Sequence, residues 1–256
     1  MFGVAFLPWI FLMLVIVGEL IVSFLSLQAG LVFHGFLVFL IVVVAALVYT
    51  KDTLTSSLLA TLVLAPIIRV LSLSTPLWPF TETLYWLFVI SLPLLAATFA
   101  TISVQNFKRE DVGLVLGDKR RLWIQVLVVL MGAPLGVVEW LILAPESWIP
   151  ALTLQNLAIG VFIVFLGTGL SEELIFRGVM QHSSERVMSK TMSLVFVSLV
   201  FTALHISFLS LADLGFVFFV AVVFGITVQK TGTIVGVVGA HTLLNSMLYL
   251  VLPFLF

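Results

Sequence analysis

Cysteine is absent from the 256-residue chain. This excludes disulfides, thiol catalysis and cysteine metal ligands, and it leaves the compartment open. Charge is nearly as scarce, at 9% of residues against about 25% in soluble domains. The net charge of −1 gives no electrostatic footprint for nucleic acid and no polybasic surface anchor. Apolar residues fill the space instead: 62% of the chain is hydrophobic, and the mean hydropathy is +1.32. A soluble fold of this length cannot hide that much apolar surface, so lipid must be the solvent for most of it. The composition predicts an all-α fold, a polytopic transmembrane helix bundle of about eight or nine spans, each needing about 20 residues.

Apolar runs place the spans at 3–27, 31–50, 54–73, 82–105, 122–144, 157–183, 190–207, 211–229 and 232–252. The first has no basic segment before it and is too long for a signal-peptide core, so it reads as a retained span. Lys51-Asp52, the Pro76–Pro79 segment, the polar stretch 106–121, the Pro145–Pro150 segment and Lys230-Thr231-Gly232 separate others. With the 106–121 loop in the cytoplasm, nine alternating spans put Lys51, Lys108, Arg109, Lys119, Arg120, Arg121, Arg186, Lys190 and Lys230 on that side. The N-terminus is then inside and the C-terminus outside. The sequence divides into N-terminal helices and a cytoplasmic loop over 1–121, and a transmembrane core over 122–256.

An ionisable group in a span costs at least about 2.5–3.5 kcal/mol and is a functional candidate for that reason. Three clusters stand out: Ser171-Glu172-Glu173-Leu174-Ile175-Phe176-Arg177, Phe201 through His205, and His241 through Asn245. Helical neighbours at i, i+4 lie about 40° apart, and those at i, i+5 about 140° apart. Glu173 therefore shares a face with Arg177, while Glu172 points elsewhere and is free to act as a base. His241 and Asn245 present two hydrogen-bonding groups from one face, suited to an anionic intermediate. A turn near Met188 would put Glu172 and His205 at one level, ~25 Å from the tip. His241 reaches that level if the Lys230 turn lies about 10 Å deeper. The site is then within the membrane, nearer the cytoplasmic side.

Glu172-Glu173-x-x-x-Arg177, Phe201-x-x-x-His205 and His241-x-x-x-Asn245, in this order on successive helices, resemble the three motifs of the CPBP family. That family contains type II CAAX prenyl endopeptidases and bacteriocin-processing or immunity proteins. The resemblance covers about residues 150–250 and implies a four-helix catalytic core in the C-terminal half. It also implies an endopeptidase acting on a membrane-associated peptide or protein, lipidated or not. In that scheme Glu172 activates water with help from His205, His241 and Asn245 hold the oxyanion, and Glu173, Arg177 and Phe201 support them. The cofactor stays open: none, with direct water activation, or zinc on Glu172, His205 and His241. No H-E-x-x-H helix is present to demand zinc. The implied location is a multi-pass protein of the cell membrane.

Other readings compete. Carboxylates and histidines in a membrane also build proton relays, so a proton-coupled transporter is an alternative. A non-catalytic immunity or scaffold protein could keep the same motifs. Glu173–Arg177 could be a helix staple, and either histidine a satisfied core residue. Glu19 and Arg69 could pair or face a cavity. Glu139 and Asp213 lie near outer span ends, where they can snorkel; His34 reads as interfacial, and His182 and Glu185 as solvated. Gly232, Gly236 and Gly239 form a small-residue face expected to bring His241 towards span six, with Gly167 and Gly169 acting similarly. The six tryptophans, Trp78 among them, fall mostly near span ends as an aromatic belt.

Overall fold

The computed structural model describes residues 6–74 and 83–256. The Pro76–Pro79 separator, Trp78 and the start of the expected fourth span lie outside them. The described residues form nine helices: α1 (Leu7–Phe24), α2 (Leu27–Tyr49), α3 (Thr53–Ser74), α4 (Thr83–Val104), α5 (Lys119–Leu143), α6 (Leu154–Glu185), α7 (Lys190–Ala203), α8 (Leu211–Thr231) and α9 (Val235–Phe254). All but α7 are long and apolar enough to cross a bilayer. The chain is an integral, multi-pass membrane protein.

Local chemistry sets the ends of these helices. Ser26, Asp52, Thr153, Ser189 and Ser210 each cap the helix that follows by accepting from a backbone N–H in its first turn. Gly232 ends α8 in the left-handed conformation at φ +69°, its N–H bonded to the Val228 carbonyl. Within α3 the regular helix breaks at Val63. Pro66 explains the break, because it has no N–H to offer the Leu62 carbonyl.

The expected span 190–207 is the main departure. Here α7 is a helix of 14 residues, ~21 Å long against a bilayer core of ~30 Å. A short 3₁₀ turn, Ile206–Phe208, follows it. Eight helices of span length and one short helix result, within the expected eight or nine spans, and 190–207 is the one that falls short. By contrast, α6 runs unbroken for 32 residues, as the lack of internal proline suggests.

The polar stretch after α4 also differs from a free loop. Val112 is fully buried, and the Gly113 carbonyl accepts from Ile234 N–H at 3.0 Å, at the start of α9. Gly113 has φ +67°, and a Cβ there would stand 3.0 Å from that same nitrogen, so glycine is required on both counts. The loop thus packs beneath α9 and sets the depth at which that helix begins. Irregular backbone is tolerated there because protein covers it.

Glycines set the close approaches, though not as the small-residue face predicts. Gly239 faces Val129 of α5, 2.8 Å from where its Cβ would be, and Gly236 N–H donates to Gln125 Oε1 of α5 at 2.6 Å. From the other side, a Cβ on Gly136 would lie 2.6 Å from the Leu244 carbonyl. This glycine seam joins α9 to α5, not to α6. Gly169 makes the α6–α9 approach, since a Cβ on it would run into Thr242 and the Val238 carbonyl, while Gly167 faces Leu87 of α4.

Candidate active site

The site begins with an irregularity in α6. Ser171–Glu173 is one short α-helical stretch between two π-helical ones, Phe165–Leu170 and Leu174–Met180. Such wide turns recur at functional sites because they re-aim side chains without ending the helix. Glu173 and Arg177 still share a face, with Arg177 Nη1 2.9 Å from Glu173 Oε1. The adjacent carboxylates differ sharply in surroundings: the Glu173 side chain has no exposed surface, and that of Glu172 is 25% exposed.

His241 of α9 stands between them. Its Nδ1 is 2.7 Å from Glu173 Oε1, and its Nε2 is 3.9 Å from Glu172 Oε2. An ionised carboxylate can only accept, so the Nδ1 proton belongs to the Glu173 bond. Nε2 is left facing Glu172 across a gap too long for a direct hydrogen bond and suited to one bridging water. Phe201 lies under the Arg177 guanidinium, 4.4 Å from its ring centre, and edge-on to Phe176 at 4.9 Å. A cation over a ring face is attracted to it, which gives Phe201 a contact with the buried charge.

His205 follows α7 directly. Its Nδ1 is 3.0 Å from the Phe201 carbonyl. A carbonyl only accepts, so Nδ1 carries the proton and Nε2 of the neutral ring is an acceptor. The turn around it is held from the N-terminal half of the chain. Arg69 of α3 pairs with Glu19 of α1 at 2.6 Å, donates to the Leu204 carbonyl, and reaches Ser207 Oγ at 3.2 Å. Both readings offered for Arg69 therefore apply: it is paired, and it also lines the cavity described next.

A cavity of about 250 Å³ joins these groups. Glu172, Glu173, Arg177, Phe201, His205, His241 and Asn245 all line it, as the sequence spacing predicts. The helical rise gives the lengths that bring these residues to one cavity. Glu172 lies ~20 Å from the Glu185 end of α6, His205 ~22 Å from Lys190, and His241 only ~9 Å into α9, whose start must sit about 10 Å deeper. The three zinc candidates do not form one donor set: among the described residues, no group of three His, Asp or Glu side chains is placed to hold a metal ion.

Sequence reasoning misplaced several polar groups. Glu139 is 7% exposed and lines the same cavity. Asp213 is fully buried, where a snorkelling side chain was expected. His34 is also buried rather than interfacial, its Nε2 3.3 Å from Glu19 Oε1. His182 and Glu185, expected to be solvated, are half-buried and line a polar pocket of about 170 Å³ that touches Arg177, where Glu185 accepts from Gln229 Nε2 at 2.8 Å. Trp148 stacks on Tyr249 at 3.7 Å, and both line the main cavity. Scarcity of cations was the one available signal for Glu139, since no Lys or Arg lies in the apolar stretch 122–144.

Residues 154–247 match the family model described as type II CAAX prenyl endopeptidase Rce1-like. This segment is similar to the Rce1-like domain. The match runs from the start of α6 into α9 and contains every residue of the cluster. At the family level the Rce1-like domain is that of a CAAX-type intramembrane protease, consistent with a membrane-embedded protein acting on peptide. No curated protein and no solved structure matches the chain. Arg69, Glu19 and Glu139, which lie outside the Rce1-like segment, are assigned from geometry alone.

Proposed function

We propose that the protein is an intramembrane endopeptidase that hydrolyses a peptide bond of a membrane-associated peptide or protein by direct water activation. The observation that carries this reading is the position of His241, with Nδ1 on Glu173 and Nε2 facing the more open Glu172. Charge counting supports it. Glu172, Glu173 and the Arg177 guanidinium sum to −1, and a membrane interior penalises net charge. One proton shared between His241 Nε2 and Glu172 makes these four side chains neutral, with Glu139 of the same cavity outside the count.

With that proton on His241, Glu172 is the ionised base and His241 Nε2–H is a donor. A water between them gives one proton to Glu172 while its oxygen bonds to the scissile carbonyl carbon. His205 Nε2 accepts from the same water and orients it. The carbonyl oxygen becomes an oxyanion held by His241 Nε2–H and the Asn245 amide, each donor worth about 10²–10³ in rate. The C–N bond then breaks, the proton on Glu172 passes to the leaving amine, and the new carboxyl group leaves with the other product. The base contributes about 10²–10⁴. Glu173, Arg177 and Phe201 keep His241 oriented. The protein resides in the cell membrane with its basic loops in the cytoplasm.

The test is cleavage of a panel of membrane-associated peptides by purified protein, comparing wild type with Glu172→Gln. Loss of cleavage in the variant supports the scheme. Equal cleavage by both would remove Glu172 as the base. Proton-coupled uptake without cleavage would replace the protease reading with the transporter one.

A further inference from the structure

Glu139 has no role in this scheme, yet it is built into the catalytic cavity. It projects from α5, is 7% exposed, and lines the cavity together with Glu172 and His241. It makes no hydrogen bond or ion pair with any described residue. Near the same end of the bundle, Asp213 of α8 is fully buried, and neither of its carboxylate oxygens has a hydrogen-bond partner among the described residues.

No Lys or Arg is free for these carboxylates, and His241, when protonated, is engaged by Glu173 and faces Glu172. Of its 11 Lys and Arg residues, only Arg69 and Arg177 fall within the helices far from the basic loops. Arg69 is committed to Glu19, and Arg177 to Glu173. An unpaired carboxylate at membrane depth is costly, and it is retained where something pays that cost. We infer that Glu139 is a specificity subsite for a cationic group of the substrate, a Lys or Arg side chain close to the scissile bond, which the cavity seats against this carboxylate. The inference rests on the protease reading for its substrate, but the recognition itself is a binding event that does not need turnover.

The experiment therefore has two arms. In the first, wild type, Glu139→Gln and Glu139→Lys cleave peptides that differ at a single position beside the scissile bond: Lys, norleucine or Glu. Wild type is expected to favour Lys over norleucine by about tenfold or more in kcat/KM, the scale of one charge-assisted hydrogen bond. In Glu139→Gln the ratio falls towards one, and in Glu139→Lys the preference moves to the Glu peptide. In the second arm, the same labelled peptides are bound to protein carrying Glu172→Gln, with and without Glu139→Gln. The Lys peptide should bind about tenfold more weakly when Glu139 is replaced. A wild-type ratio near one, or a Lys preference that survives Glu139→Gln in both arms, overturns the inference. If the binding difference holds but no peptide is ever cleaved, the protease reading fails and the subsite stands.

Discussion

His241 Nδ1 and Glu173 Oε1 are 2.7 Å apart, and the same oxygen receives the Arg177 guanidinium at 2.9 Å. One carboxylate oxygen thus fixes both the tautomer of the histidine and the rotamer of the arginine. Glu173→Gln keeps the shape but loses the charge that holds an imidazolium. It should lower kcat by about 10²–10⁴ with KM changed only a few-fold, by analogy with carboxylate-to-amide changes behind a catalytic histidine. Steady-state peptide cleavage in detergent checks the split. An effect confined to KM would move Glu173 out of the catalytic step.

Glu19 and Arg69 join α1 and α3 to the turn that carries His205. Glu19 is buried and Arg69 half-buried, and Glu19 keeps His34 beside it, so replacing one member of the pair should cost less than the about 3–5 kcal/mol of a fully buried pair. Arg69→Met and Glu19→Met are each expected to lower the thermal midpoint, and the double variant to lose less than the sum of the two. Thermal unfolding of all three variants forms the cycle. Strict additivity would show that the two charges do not communicate.

Gly136 and Gly35 form a contrasting pair. A Cβ at Gly136 would lie 2.6 Å from the Leu244 carbonyl, whereas at Gly35 it would meet nothing within 4 Å. Gly136→Val should force α5 away from α9 and reduce the yield of folded protein. Gly35→Ala should be neutral or stabilising by about 0.5–1 kcal/mol, because alanine loses less backbone freedom in a helix. Folded yield after extraction, read by size-exclusion profile, compares them.

Asp52 accepts from Leu54 N–H, Thr55 N–H and the Thr55 hydroxyl. The Thr55 hydroxyl bond is the largest cause of a carboxyl pKa held below the ordinary value, followed by the Thr55 backbone bond. A pKa depressed on folding means stability that is present above the ordinary value and lost as pH falls through the lowered one. The cap should therefore hold at neutral pH and weaken below about pH 4. Asp52→Ala should cost about 1 kcal/mol at pH 7 and progressively less in acid. A pH series of thermal midpoints for the two proteins measures this.

Much of this arrangement is legible in the sequence because helical spacing is a local property. Glu173 and Arg177 pair as i, i+4 spacing requires, and residues from three separate motifs meet in one cavity. What the sequence does not reveal depends on partners far along the chain. Gly236 and Gly239 form a small face, but periodicity cannot say that α5 rather than α6 fills it. His34 and Asp213 lie at positions where a side chain could reach an interface, and only the packing of neighbouring helices closes those routes. The 106–121 stretch reads as solvated because of its charges, while Val112 and Gly113 within it dock under α9. His241 reads as a simple donor until Glu173 is found on its other nitrogen.

The shortness of α7 has a consequence for the surrounding lipid. The helix falls about 9 Å short of a typical hydrocarbon core, and Phe208, Leu209 and Leu211 at its far turn are exposed and apolar. Acyl chains must compress to meet that turn, at a cost of fractions of a kcal/mol per Å of mismatch. Because His205 and Phe208 also line the cavity, any such strain would fall beside it. Membrane thickness thereby becomes a variable of the protein: vesicles of shorter-chain lipid should relieve the strain and stabilise it, and those of longer-chain lipid should do the reverse.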